Sequence, residues 1–149
     1  MTLQDRLTED LKAAMRSGDK SRIATLRMIK AAVKNAEIAK GKPLDDADVI
    51  EVLNKEAKKH RESISEFTRA DRRGAVEKEE EGLAIVLEYL PEQMTREEVE
   101  NAARAVIEEV GARGPKDKGK VMSALMPRVK GKAEGQMVNQ VVSNLLESI

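Results

Sequence analysis

Apolar residues return every third or fourth position along almost the whole chain, and no segment shows a convincing alternation. Leu3, Leu7, Leu11 and Met15 open the series. Ile23, Leu26, Ile29, Val33 and Ala36 continue it, followed by Ile50, Leu53, Ala57, Ile64 and Phe67. This is the 3.6-residue period of helices that bury one stripe, and it leaves no place for a half-buried strand. With one Tyr, one Phe and no Trp in 149 residues, the core must be built from Leu, Val, Ile, Ala and Met. The expected fold class is all-α.

Punctuation divides the stripes into seven helices. Ser17-Gly18 ends the first, and Asp19 is placed to cap a second that stops at Gly41, with Pro43 beyond. Asp45 or Asp46 opens the third, and a fourth covers about 73–89 with Val76, Leu83, Val86 and Leu90 on its face. Pro91 breaks the pattern. Thr95 followed by Glu98 reads as a capping box for a fifth helix, whose face Val99, Ala102, Ala103, Val106, Ile107, Val110 ends at Gly111. Pro115 suits the first turn of a short sixth helix carrying Val121, Met122, Leu125 and Met126, and Pro127 should terminate or kink it. The seventh spans about 135–148, with Met137, Val138, Val141, Val142, Leu145 and Leu146 along one side. Two domains are expected, a four-helix part at 1–93 and a three-helix part at 94–149. About 55 residues is marginal for an independent core, so the second part should lean on the first or on a partner.

Several chemistries are excluded. The chain has no cysteine, which rules out disulfides, thiolate metal sites and a Cys nucleophile, and fits a reducing cytosol. The segment "MTLQDRLTEDLK" is charged from its fifth residue and has no apolar leader. No apolar run approaches the ~20 residues of a membrane span. A cytoplasmic protein with no membrane association is expected. His60 is the single histidine, and with no second His and no Cys it makes a poor metal site; it reads as a boundary residue on a helix. Glu77, Glu79, Glu80 and Glu81 are adjacent carboxylates on one helix and read as a solvated face, since catalytic carboxylates are held apart across a cleft. Met122, Met126 and Met137 read as core. No catalytic residue, cofactor or metal is expected.

Charge, however, is gathered in one place. The chain is neutral, with 27 basic and 27 acidic residues, yet "RGPKDKGKVMSALMPRVKGK" at 113–132 carries seven Lys or Arg against Asp117 alone. "GPKDKGKV" approaches a phosphate-binding P-loop, but Val121 stands where a Ser or Thr must hold Mg²⁺, and a helix rather than a strand precedes it. The cations fall in two groups. Arg113, Lys116, Lys118 and Lys120 surround one glycine-containing turn, and Arg128, Lys130 and Lys132 surround the other. The short helix between them should pack inward and hold both turns on one end of the small domain. Glycine lets backbone N–H groups approach an anion, and a helix N-terminus favours negative charge. A run of phosphates fits these seven residues better than one small ligand.

The segments "EYLPEQMTREEVE", "GARGPKDKGKVMSALMPRVKGKAEG" and "MVNQVVSNLL" resemble the C-terminal half of the GatB/YqeY family. "LKAAMRSGDKSRIATLRMIKAAVKNAEI" and "RESISEFTRADRR" resemble its stand-alone YqeY members, so the resemblance covers essentially the whole chain. Its most specific elements are Pro91, "KDKGKVM" at 116–122 and "KGKAEG" at 130–135. The resemblance implies an all-helical, two-domain protein. It also implies a C-terminal domain similar to the tail of the B subunit of glutamine-dependent aminoacyl-tRNA amidotransferase, which helps hold the tRNA body. Lys116, Lys118, Lys120, Lys130 and Lys132 match positions of that tail motif. A carbon–nitrogen ligase activity with glutamine as amido donor is associated with the family through this tail, but the kinase, transamidase and glutaminase regions have no counterpart here. The expectation is a non-catalytic RNA-binding accessory, with tRNA as the foremost partner. The alternative is a helical protein–protein adaptor without RNA binding, which docks a protein partner on its N-terminal domain.

Overall fold

The computed structural model describes residues 1–149, and all its regular structure is helical. Seven α-helices follow in chain order: α1 Leu3–Ser17, α2 Lys20–Lys40, α3 Asp46–Arg69, α4 Arg73–Leu87, α5 Arg96–Val110, α6 Lys118–Val129 and α7 Gly135–Glu147. A 3₁₀ turn, Pro115–Asp117, leads directly into α6. No helix is long and apolar enough to cross a membrane.

Local chemistry sets most of the helix ends. Thr2 and Asp5 form a reciprocal capping box on α1, each accepting the other's backbone N–H at 3.1 Å. Asp45 and Asp48 do the same for α3. Asp19 accepts the N–H of Arg22 at the start of α2. At α5 only half of the expected box forms: Thr95 accepts from Glu98 N–H at 3.1 Å, and the Glu98 carboxylate does not return to the cap. Gly18, Gly41 and Gly111 close α1, α2 and α5 in the left-handed conformation. Pro127 does not terminate α6, which runs on to Val129. A proline this close to the end removes a single N–H, and the amide of Lys130 still closes on Met126 O at 2.9 Å.

The chain divides into two compact units, Met1–Leu90 and Pro91–Ile149. In the first, α2 touches α1, α3 and α4, and Leu7, Leu26, Ile29, Val49, Leu53 and Val86 are at most 1% exposed. In the second, α5, α6 and α7 each touch the other two around a core of ten fully buried residues, most of them Val. Tyr89 is buried in the first unit. Its hydroxyl donates to Asp10 Oδ2, and the Arg6 guanidinium lies 4.6 Å from its ring centroid. Burial and the Asp10 carboxylate together push the Tyr89 phenol well above its ordinary value.

The helices α3 and α4 meet around His60. It is 8% exposed, deeper than a boundary residue, and its Nδ1–H donates to Glu79 Oε2 at 2.6 Å. Glu79 therefore leaves the solvated face on which its acidic neighbours stand. A Cβ built on Gly82, one turn along α4, would lie 2.6 Å from His60 Cε1, so the imidazole fills the space a side chain would occupy. Gly82→Ala should therefore lower stability by about 1–3 kcal/mol, although Ala is intrinsically the better helix residue by roughly 1 kcal/mol. In a His60→Ala background the same replacement should be neutral or stabilising. Urea unfolding of the four proteins measures this coupling, and an equal loss in both backgrounds would clear the ring of blame.

Candidate nucleic-acid interface

Helix α6 is oriented by one buried stripe. Val121, Leu125 and Val129, four residues apart, are all 0% exposed. Lys120 then points away from the core and is exposed, whereas Lys118 falls toward α7 and its Nζ donates to Asn139 Oδ1 at 2.7 Å. Arg128 is also committed. Its guanidinium grips the Glu109 carboxylate of α5 with both terminal nitrogens, at 3.2 and 2.5 Å. Arg128 holds the Glu109 carboxyl below the usual range, and the carboxylate in turn raises Arg128.

The first turn is closed by its one acid. Asp117 accepts the N–H of Arg113 at 2.9 Å, and its own N–H donates to Gly114 O at 3.0 Å. That carboxylate is held by the backbone and makes no ion pair with a lysine. The α6 N-terminus has no side-chain cap; the 3₁₀ turn before it closes the Lys118 N–H on Pro115 O, and the positive end of the helix dipole lies beside Lys116 and Lys120. Arg113, Lys116 and Lys120 are exposed.

The second turn is held from outside its own sequence. Gly131 has φ +79° and is buried, a conformation strained for any residue with a Cβ. The amides of Lys132 and Ala133 both donate to Val129 O, at 2.9 and 3.1 Å. Gln93 Nε2 donates to Pro91 O at 2.7 Å and to Gly131 O at 2.9 Å, while Met94 N–H donates to Lys132 O at 2.8 Å. Residues 91–94 thus clamp the turn that presents Lys130 and Lys132, both exposed. Gln93 carries no recognisable motif in the sequence; only its place beside Pro91 hints at a role.

The two turns do not share one end of the unit. They sit at opposite ends of the 12-residue α6, about 18 Å apart at 1.5 Å per residue. The reason is geometric: the turns precede and follow a single helix, so they lie at its two ends, and the three residues from Pro127 to Val129 add only about 4.5 Å to their separation. The seven basic residues therefore form an extended edge rather than one cluster. Replacing Gln93 by Ala should loosen this edge. Two hydrogen bonds of about 0.5–1.5 kcal/mol each are lost, so amide exchange at Met94, Lys132 and Ala133 should accelerate by roughly tenfold. Unchanged protection at these amides would show that the clamp does not hold the turn.

The chain matches the Yqey-like protein family (YqeY) over residues 4–146. It is similar to "Altered inheritance of mitochondria protein 41, mitochondrial" of Pyrenophora tritici-repentis, with 33% identity over 130 residues covering 86% of this chain and 71% of that protein. Proteins of the same name from Lachancea thermotolerans and Kluyveromyces lactis are 35% and 38% identical over 99 and 98 residues. Those alignments cover 66% and 63% of this chain, and 53% and 52% of the relatives' own length. The expectation of a cytoplasmic protein is corrected by these relatives, which are named as mitochondrial. A chain without cysteine is indifferent to redox poise, so its composition carries no address. The match across 4–146, together with this identity over most of the chain, establishes that the protein belongs to the YqeY-like family.

Proposed function

We propose that the protein binds RNA, tRNA foremost, along the cationic edge formed by the two turns and α6. It acts as a non-catalytic accessory to tRNA-dependent amidation or to another tRNA-handling step. One observation carries this reading: Arg113, Lys116, Lys120 and Lys132 stand exposed with no carboxylate partner, and the sole acid among them is spent on the backbone. Their spread along about 18 Å favours a polyanion with repeating charges over a single phosphate-bearing metabolite. The N-terminal end of the α6 dipole adds partial positive charge at one end. The resemblance of both turns to the amidotransferase tail supports tRNA as the RNA.

Binding of this kind is read in its salt dependence, because each neutralised phosphate contributes about 0.7–0.9 to the slope of log affinity against log salt. The triple variant Lys116→Ala, Lys120→Ala, Lys132→Ala should flatten the slope for tRNA by about two to three units. The fold should survive, since exposed substitutions cost within about 0.5 kcal/mol each. Glu77→Ala with Glu80→Ala, exposed acids that hold nothing, should leave binding unchanged or slightly tighter. A folded triple variant that binds tRNA with the wild-type slope would overturn the reading.

A further inference from the structure

The first unit carries a second set of cations, distinguished by what its carboxylates are doing. Residues 1–40 hold nine basic and five acidic side chains. Four of the five acids are committed: Asp5 to the α1 cap, Asp10 to Tyr89 and Arg6, Asp19 to the α2 cap and Arg22, and Glu37 to Gln4 and the Leu44 amide. Glu9 alone is free. Of the cations, Arg6, Arg22 and Lys40 have carboxylate partners. The other six, Lys12, Arg16, Lys20, Arg27, Lys30 and Lys34, have none.

Geometry brings five of these six onto one seam. Lys20, Arg27 and Lys34 are seven residues apart on α2, two helical turns each, so they form a row about 21 Å long on one outward face. Lys30 lies one turn from both Arg27 and Lys34, and its Nζ donates to Thr8 of α1 at 2.6 Å. Arg27 reaches to 3.6 Å from the Met15 sulfur of α1. Thr8 and Met15 therefore mark the edge of α1 that faces α2, and Lys12, one turn from Thr8, stands beside that edge, whereas Arg16, next to Met15 in sequence, is turned about 100° away from it. All except Lys30 are exposed, and exposed Ala24 and Ala31 separate the cations of α2 without obstructing them.

We infer that this α1–α2 seam is a second nucleic-acid surface, which takes the phosphate backbone of the bound RNA. The inference rests on the RNA reading above for the identity of the polyanion, and on none of its residues. A row of like charges at a regular spacing, with small residues between them, suits a repeating backbone. Protein interfaces are instead anchored by buried aromatic and Arg side chains in pockets, and this seam has no aromatic residue. Long-range steering is the other consequence: unpaired cations in a row raise the local concentration of a polyanion and accelerate its capture at low salt.

The test uses the full chain and bulk tRNA as the probe, with anisotropy titrations over roughly 50–200 mM KCl. The variant Lys20→Gln, Arg27→Gln, Lys34→Gln should flatten the salt slope by about two to three units. Combined with the triple variant of the turns, the two losses should add, since they involve no shared partners. A charge-preserving variant, Lys20→Arg, Arg27→Lys, Lys34→Arg, should keep the wild-type slope and shows that charge, not α2 packing, is being read. If the Gln variant keeps the wild-type slope while the turn variant flattens it, the seam is not an RNA surface and the turns are. If the Gln variant flattens the slope and the turn variant does not, the seam stands and the turns fall. Wild-type slopes in both would sink both.

Discussion

The rotation of α6 about its own axis decides what the C-terminal unit presents to solvent. Val121, Leu125 and Val129 are completely buried, and burying each such side chain is worth about 1.5–3 kcal/mol. The surface pair of Arg128 with Glu109 is worth about 0–1 kcal/mol at most. Apolar burial therefore wins by several-fold, and the salt bridge follows an orientation already set. A turn of one residue, about 100°, would carry a valine into water and a lysine toward the core. The placement of Lys120 and of the turn cations is thus a by-product of three aliphatic residues.

Neutral net charge conceals how unevenly pairing is distributed. Along α3 and α5, Lys59, Arg96 and Arg104 have carboxylates within reach. On the α1–α2 seam and along the α6 edge most of the nearby acids, Glu9 apart, are already held by amides, by the Tyr89 hydroxyl or by other cations. A capping acid keeps its charge and its spare lone pairs: Asp19 caps α2 and still pairs with Arg22, and Asp48 serves the α3 capping box and still pairs with Lys40. Those pairs are local, and none of them reaches Lys20, Arg27 or Lys34.

Much of this was legible in the sequence, for identifiable reasons. Helix number and the caps at Asp19, Gly18, Gly41 and Gly111 depend on neighbours within one turn, and so they are written locally. The buried stripes depend only on period. What escaped was non-local or marginal. Pro127 was read by its usual effect, yet two residues from a helix end it removes too little to matter. His60 and Glu79 meet across two helices from positions 19 apart, and nothing near either residue marks the contact. Gln93 reaches Gly131 across 38 positions in the same way. The two turns stand apart because α6 lies between them, and a helix of about nine residues would separate them nearly as well as one of twelve.

Tyr89 is the chain's single tyrosine, and there is no tryptophan. Practically all of the near-ultraviolet absorption and emission of this protein therefore originates from one ring, buried in the first unit against Arg6 and hydrogen-bonded to Asp10. A phenol donating to a carboxylate emits weakly, and emission rises when that bond opens. The protein carries a built-in optical probe that reports the integrity of the α1 and post-α4 contact. An unfolding curve followed by tyrosine light and one followed by helical dichroism are two different measurements, the first local to a single contact and the second summed over all seven helices.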